Sequence, residues 1–244
     1  MNQQELNKIL KQHKLWVTSD KSEGERADLT GADLRNANFL GANLTGAHFY
    51  SANLRDAYLR NADLRNANLT GAHFYGANLT GVNLTGADLR NANFLGANLS
   101  GANLSGAHFY GANLTGANLT SANLRNTSLS GADLARANLS DAYLTGAYLM
   151  NANLMGADLK DANLRDTSLT GSVLSGADLT GADLTGANLT DTNLTRANLS
   201  GADLTGANFF SATLMNANLT GADLKDANLK DTDLTRAKID HNIR

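Results

Sequence analysis

The sequence predicts an all-β solenoid, in which short strands coil around a single core, preceded by an α-helical cap. Three observations carry this prediction. A five-residue repeat runs without interruption through residues 27–241, one phase of it is always a large apolar residue, and another phase holds every glycine except Gly24. We therefore divide the chain into a helical cap and connection (1–26), the repeat (27–241) and a C-terminal tail (242–244).

The large apolar residues, here called centres, set the phase of the repeat. From Ala27 the chain reads ADLTG ADLRN ANFLG ANLTG AHFYS, and the 43 centres run from Leu29 to Ile239 without an insertion or deletion. All are leucine apart from Ile239 and six phenylalanines: Phe39, Phe49, Phe74, Phe94, Phe109 and Phe209. Alanine stands two residues before 37 of the 43 centres, so a large and a small apolar residue share one side of every unit.

A period of five fits neither a helix nor a flat strand. Five steps on an α-helix rotate about 500°, so the centres would spread around all of its sides. On a flat strand, centres an odd number of residues apart would alternate between the two faces. The chain must instead turn a corner in every unit, at the phase that is glycine in 22 units. Because Arg136, Arg196 and Arg236 also occupy this phase, we expect that not every corner requires a positive φ.

The units GADLR, GANLT and SANLR resemble the pentapeptide-repeat proteins, whose consensus is A(D/N)LXX. The resemblance covers all 43 units. It implies a right-handed quadrilateral β-helix with four units per coil and therefore about eleven coils. At about 4.8 Å per coil, the rod would be roughly 50 Å long.

The narrow interior predicts which residues are buried. Leu84, Leu139 and Ala202 should be almost fully buried, whereas Asn83 and its neighbours Thr85 and Gly86 should lie at the surface. Where a hydroxyl replaces the inward alanine, it needs a partner inside, which we expect to be a backbone carbonyl. These positions are Thr127, Thr167, Ser172, Thr192 and Thr232.

A solenoid exposes apolar side chains and unpaired backbone at its ends, so caps are expected. Residues 3–14 place Leu6, Ile9 and Leu10 at helical spacing, which predicts an amphipathic helix over the first coil, with residues 15–17 leading inward. A disordered leader is the alternative. At the other end we expect an end-to-end homodimer, for which the candidate residues are Leu234, Ile239 and Ile243.

The residue pattern argues against catalysis. His48, His73 and His108 recur at an outward phase, but they have no accompanying nucleophile motif, and a convex rod provides no enclosed pocket. The glycines never form a phosphate-binding loop, and without cysteine there is no thiolate metal site. We therefore predict that the chain is not an enzyme and uses no cofactor or metal.

Composition bounds the location and the partners. The net charge of −3 gives no reason to expect nucleic acid, and no apolar run approaches the roughly 18 residues of a membrane span. The absence of cysteine suits a reducing cytoplasm, and the N-terminal residues do not form a secretory signal. We expect a cytoplasmic protein of bacterial type with no membrane partner.

One cluster of basic residues could instead indicate a nucleic-acid partner. Arg35 and Arg55 stack on one side of the predicted coil, with Arg60 and Arg65 on the next two sides. Nearby aromatic residues would suit single-stranded nucleic acid, namely Tyr50, Tyr58 and Tyr75. The favoured interpretation is a solvated surface, with no nucleic-acid partner.

The distribution of aspartates is more informative. Residues 27–130 hold 5 Asp against 6 Arg, whereas residues 131–240 hold 14 Asp against 8 Lys and Arg, a net charge of −6. In a four-sided coil, Asp183, Asp203 and Asp223 form an outward ladder, and Asp158 stacks with Asp178 on the adjacent side. Stacked like charges are destabilising, so these five residues are a candidate interaction surface. The alternative is that Asp and Asn at this phase hydrogen-bond to nearby backbone.

The resemblance also suggests functions. Family members that confer fluoroquinolone resistance act as mimics of duplex DNA and bind DNA gyrase. Matching a duplex along residues 131–240 would need about fifteen negative charges, well above the net −6 present. The leading interpretation is a non-enzymatic rod that binds an unidentified protein. The alternatives are a DNA mimic that binds gyrase or another DNA-binding protein, and a secreted effector or membrane-associated scaffold.

Overall fold

The computed structural model describes residues 1–240, in which one α-helix, α1 (Gln3–Thr18), is followed by a coil of pentapeptides. Single-residue parallel bridges join residues twenty apart, from Asp28–His48 at the start to Asn218–Lys238 at the end. Every bridging residue is the one just before a centre, so each side contributes one bridge rather than a longer strand. The prediction of a quadrilateral β-helix with four units per coil is confirmed.

We number the four faces by their first centre. Face 1 contains Leu29 and every twentieth residue after it, and faces 2, 3 and 4 begin with Leu34, Phe39 and Leu44 in the same way. The corner residue after each face lies on an edge, so that edge 2/3 separates face 2 from face 3. Residues twenty apart are direct neighbours in adjacent coils.

Hydrogen bonds within and between coils use four of the five backbone N–H groups of a unit. In the unit centred on Leu34, the N–H of Leu34 donates to Asn53 O at 2.8 Å and that of Asn36 to Arg55 O at 3.1 Å. The N–H of Ala37 closes a turn onto Leu34 O at 3.0 Å, and the N–H of Asn53 in the next coil returns to Ala32 O at 2.9 Å. The group left over is the N–H of the residue after the centre.

That fifth N–H explains the preference for Asp or Asn before the centre. The side-chain oxygen Oδ1 of Asn98 accepts from Ser100 N at 3.0 Å, and that of Asn118 accepts from Thr120 N at 3.0 Å. This two-residue Asx turn recurs along the rod and pairs a backbone donor that no coil neighbour reaches.

The expectation that some corners avoid a positive φ is wrong. Every corner from Gly31 to Arg236 has a positive φ, including Arg136 (56°), Arg196 (60°) and Arg236 (56°). The left-handed conformation is required because each corner is the third residue of a tight turn that must close at the same angle in every unit. The side chain at a corner therefore does not select its backbone conformation.

The core follows the predicted phases. Leu84 and Leu139 have no exposed surface and Ala202 is 1% exposed, while Asn83, Thr85 and Gly86 are half-buried, because residues in the coils before and after cover much of each outward side chain. The expected carbonyl partners of the inward hydroxyls are confirmed. Thr127, Thr192 and Thr232 donate to carbonyls of the preceding coil, and Thr167 and Ser172 to the carbonyl three residues earlier.

The predicted helix is present and extends beyond residue 14 to Thr18. Asn2 and Glu5 form a capping box at its start. Leu6 is buried against the first coil, and Gln3 both donates to Asn38 O (3.2 Å) and accepts from Asn38 N (3.1 Å), so the helix replaces the hydrogen bonds of a missing coil. The expectation that residues 15–17 lead inward is wrong for Leu15, which is 38% exposed because the helix continues through it.

His13 is the buried residue of the cap that the sequence analysis did not identify. It continues the stripe of Leu6, Ile9 and Leu10 at the next helical turn, and its Nδ1 accepts from the N–H of Ala27 at 3.0 Å. The stripe was therefore a usable signal, but a histidine was not counted as apolar.

The last described coil is less well covered than the others. Leu224 is 8% exposed, and Leu229, Leu234 and Ile239 are partly exposed although they occupy the centre phase. The N–H groups of Leu229 and Leu234 have no acceptor within residues 1–240. The third candidate dimer residue, Ile243, and the predicted tail lie outside the described residues.

Candidate interaction surfaces

The acidic residues stack as predicted. Asp183, Asp203 and Asp223 bridge in succession on face 4, and Asp158 bridges Asp178 on face 3. Each of the five accepts the N–H of the residue two positions later through Oδ1, at distances of 2.9–3.2 Å. The backbone alternative therefore accounts for an acceptor at these positions, but asparagine would supply the same acceptor without charge.

Two basic side chains offset part of this charge. Nζ of Lys160 lies 3.6 Å from Asp158 and 3.3 Å from Asp178, so it bridges the face 3 pair. Nη1 of Arg165 lies 3.3 Å from Asp183, at the start of the face 4 ladder. Asp203 and Asp223 form no ion pair within residues 1–240. Hydrogen bonds from the Thr205 hydroxyl and backbone N–H hold the pKa of Asp203 below its usual value, so this carboxylate stays charged at neutral pH.

Three of the four arginines in the basic cluster pair with nearby aspartates, and Arg60 forms no ion pair within residues 1–240. Nη2 of Arg35 lies 2.6 Å from Asp33, and Nη2 of Arg65 lies 2.6 Å from Asp63. Hydrogen bonds from the Arg35 side chain and backbone lower the pKa of Asp33 to about 2. Arg55 contacts Asp56 and lies 4.8 Å from the ring centre of Tyr75, which occupies one face of that ring. These three guanidinium groups are therefore already engaged within the chain.

The three outward histidines lie on the faces that a coil of twenty residues predicts for them. His48 bridges Asp28 and His108 bridges Asp88 on face 1, whereas His73 lies on face 2. The pKa of Asp28 is lowered mainly by hydrogen bonds from the Thr30 side chain and backbone, and only secondarily by His48. Residues 1–240 contain no cluster of three His, Asp or Glu side chains placed to hold a metal ion. At 16 residues, α1 falls short of a membrane span, and the described part of the chain has no other helix that could be one.

A cleft lies where the cap meets the first coils. It has a volume of about 410 Å³ and is lined by Trp16, Lys21, Arg26, Thr45 and Asn66 among others. The guanidinium of Arg26 and the ammonium of Lys21 both lie 5.6 Å from the Trp16 ring centre, so cations of the chain itself line this cleft.

The structure also groups residues that the sequence analysis left separate. Two apolar pairs flank edge 1/2, Met150 with Met155 and, sixty residues later, Phe210 with Met215. The exposed side chains of Tyr148 and Val173 lie beside the first pair, and the whole set is called the apolar strip: Tyr148, Met150, Met155, Val173, Phe210 and Met215. The recurrence after sixty residues was visible in the sequence, but its meaning depends on four units per coil.

A basic edge borders the strip. Arg136, Arg196 and Arg236 all lie on edge 2/3, and they are called the arginine edge. The backbone N–H of Arg136 donates to Met155 O at 2.9 Å and that of Arg196 to Met215 O at 2.9 Å, so each methionine lies one coil after its arginine. Arg136 and Arg196 form no ion pair within residues 1–240.

Comparison with known proteins agrees with this geometry. A family model described as pentapeptide repeats, in eight copies, matches residues 25–61, 57–94, 92–131, 132–171, 172–209 and 212–241. The chain is a member of the pentapeptide-repeat family. As a pentapeptide-repeat protein it has the family's right-handed quadrilateral β-helix, with an N-terminal helix added.

Solved structures extend the comparison. HetL, a pentapeptide-repeat protein involved in the regulation of heterocyst differentiation in the cyanobacterium Nostoc sp. strain PCC 7120, is 36% identical; the alignment covers 91% of this chain and 94% of HetL, with a TM-score of 0.52. QnrB1, a plasmid-mediated fluoroquinolone resistance protein, is 27% identical over 64% of this chain and 84% of its own, with a TM-score of 0.44. A search of curated proteins found no match.

Proposed function

We propose that this pentapeptide-repeat protein is a non-enzymatic, cytoplasmic rod whose outer faces bind another protein. The observation that carries the proposal is the unbroken register from Asp28 to Lys238, in which every outward residue of the inner coils has neighbours twenty residues before and after it. Such faces present side chains at regular intervals of about 4.8 Å, as other solenoids do for their partners.

The acidic ladders are our first candidate surface: Asp158, Asp178, Asp183, Asp203 and Asp223. At Asp203 and Asp223 the Asx turn needs only an oxygen acceptor, so aspartate in place of asparagine adds repulsion between coils without adding an ion pair. A basic patch on a partner would relieve that repulsion. Asp203 and Asp223 could pair with such a patch, because neither forms an ion pair within residues 1–240.

A pair of double variants tests this surface. Asp203→Asn with Asp223→Asn keeps both Asx acceptors and removes two charges from face 4. Asp28→Asn with Asp88→Asn is the control on face 1, where Asp88, unlike Asp203 and Asp223, also pairs with Arg90 at 2.6 Å. Proteins captured from the source cells by the native chain should be lost with the first variant and retained with the second. If the folded chain captured nothing above a bare-resin control, the binding function would be rejected.

We also propose that the C-terminal coil mediates an end-to-end homodimer. Leu229, Leu234 and Ile239 are partly exposed centres, and pairing two such ends would cover them. The interface is limited to the cross-section of the rod, so the affinity should be moderate. Sedimentation over a concentration series should show a dimer that weakens in Ile239→Thr. A strict monomer at high micromolar concentration would reject this interface.

A further inference from the structure

We propose that the arginine edge and the apolar strip form a second docking surface, which binds an extended acidic segment of a partner protein. This inference rests on the proposed protein-binding function but does not use the ladder Asp183, Asp203 and Asp223, which lies on face 4, whereas the strip lies on faces 1 and 2. The face 3 pair, Asp158 and Asp178, borders the arginine edge but is bridged by Lys160.

The first observation is how charge is distributed among the corners. All three corner arginines lie on edge 2/3, whereas the charged corners of residues 131–236 on the other three edges are all aspartates. Those aspartates are Asp141, Asp161, Asp166, Asp191, Asp226 and Asp231. In the second half of the rod, one edge is therefore basic and three are acidic.

The backbone makes these arginines costly. Arg136, Arg196 and Arg236 adopt φ values of 56–60°, a left-handed conformation that is strained for an L-residue but not for glycine. Glycine, asparagine, aspartate or serine occupies every other corner from Gly31 to Asp231. Three exceptions of one residue type on one edge, two of them without an ionic partner in residues 1–240, indicate that the positive charge is retained for a ligand.

The second observation is the apolar strip beside the edge. Tyr148 is 53% exposed, Met155 46% and Met215 37%. Methionine adapts its shape to an incoming surface, and aromatic residues and methionine are enriched at protein interfaces. Ala135 occupies the position of Met155 one coil earlier, and its side chain is smaller than those at the same position in the coils before and after it.

The spacing of the strip indicates the conformation of the ligand. Met155 and Met215 are three coils apart, as are Arg136 and Arg196, which is about 14 Å. Four residues of an extended chain span about 13.5 Å and return to the same side. An α-helix needs nine or ten residues to cover that distance, and residues nine or ten apart lie on different sides of the helix. The partner segment is therefore extended, with apolar residues four apart and acidic residues beside them.

The charge of the rod favours a short peptide over a polyanion. Residues 131–240 carry a net charge of −6, with the acidic ladders on faces 3 and 4. Duplex DNA or an anionic membrane would bring a high density of negative charge close to those faces as well. A short peptide needs only a few carboxylates at the arginine edge, and the face 3 aspartates beside that edge, Asp158 and Asp178, are already paired with Lys160.

Peptide selection on the full-length chain tests the inference. Random peptides displayed on phage are selected against the native protein, and enriched peptides are resynthesised for affinity measurement. We expect enriched sequences with apolar residues four apart and flanking Asp or Glu. Affinity should fall about tenfold or more in Arg136→Gly with Arg196→Gly, and also in Met155→Thr with Met215→Thr, since a lost charge-assisted contact of about 1.4 kcal/mol corresponds to a factor of ten.

The variants use residues that the fold already accepts. Glycine is the commonest corner residue. Threonine is found at Thr115 and Thr195, which hold the same position in their coils as Met155 and Met215. Arg165→Thr with Lys225→Thr removes two positive charges from face 4 and should leave peptide affinity unchanged. Melting curves should show the Arg→Gly variant to be at least as stable as the native chain.

Each other outcome would overturn this surface. Peptides that bind but depend on Asp203 and Asp223 rather than on Arg136 and Arg196 would leave the rod a binding protein and reject the inference. Enrichment of no peptide family would reject it too. Binding of phosphatidylserine vesicles or short duplex DNA that is lost in Arg136→Gly with Arg196→Gly would assign the edge to a polyanion instead.

Discussion

Oδ1 of Asn61 lies 2.6 Å from the position that a β-carbon on Gly81 would occupy. The two residues are twenty apart and therefore stack on one edge. The same relationship joins Asp56 to Gly76, Asn66 to Gly86 and Asn91 to Gly111. In these pairs the corner Asn or Asp covers the following corner, and glycine fits beneath it.

Gly81→Ala should therefore destabilise the rod more than Gly96→Ala. The φ angle is +64° at Gly81 and +63° at Gly96, so both variants carry the same left-handed strain of about 1 kcal/mol or more. Only Gly81 has a neighbour, because Gly96 has nothing within 4 Å. The Asn61 amide can rotate away, so we expect a difference of about 0.5–1 kcal/mol in urea melts. Equal losses would show that Asn61 does not restrict residue 81.

The N-terminal cap should loosen in acid. Burial lowers the pKa of His13 below 6.5, and Arg26 lowers it further. The unfolded histidine therefore binds protons more readily than the folded one, so stability falls as the pH drops below about 6.5 and levels off below the folded pKa. Protonation of Nδ1 also breaks its bond from Ala27 N–H.

Trp16 fluorescence is a local readout, because this sole tryptophan stacks on His13 at 5.5 Å between ring centres. Urea melts at pH 7.5 and pH 5.5 should show the loss. His108→Asn, at an exposed position, is expected to retain the acid sensitivity. A pH-independent midpoint over this range would contradict the buried neutral histidine.

Leu139→Asp should cost at least about 4 kcal/mol, because the narrow core offers a buried carboxylate no partner and no water. Asn138→Asp is the adjacent control. Its side chain faces outward and keeps the acceptor for Ser140 N (3.0 Å), so its effect should stay below about 1 kcal/mol. Similar losses in the two variants would contradict the assignment of inward and outward phases.

DNA gyrase supercoiling should be inhibited weakly or not at all by micromolar concentrations of the chain. Lys160 and Arg165 interrupt the acidic ladders, and the net charge of residues 131–240 is far from that of a duplex of equal length. A gyrase-inhibiting family member serves as the positive control. Potent inhibition by the present chain would restore the DNA-mimic alternative.

Much of the fold follows from the sequence because each unit repeats the same local requirement. A single unit and its immediate neighbours determine which residues point inward and which one forms the corner. They also determine that an inward hydroxyl, as at Thr127 or Ser172, needs a carbonyl partner. The helix over the first coil also followed from its apolar spacing, although His13, which continues that spacing, was missed because histidine is not an apolar residue.

What the sequence alone determined is the phase of every residue, and with it which side chains are buried. Tertiary structure decided which outward residues meet, because that depends on how many units complete a coil, and this number came from a family resemblance and not from the period of five. Pairs such as Arg136 with Met155, or Asn61 with Gly81, exist only when twenty residues return the chain to the same edge. The positive φ of the arginine corners has the same origin, since the closure of the coil imposes one turn geometry on every corner whatever its side chain prefers.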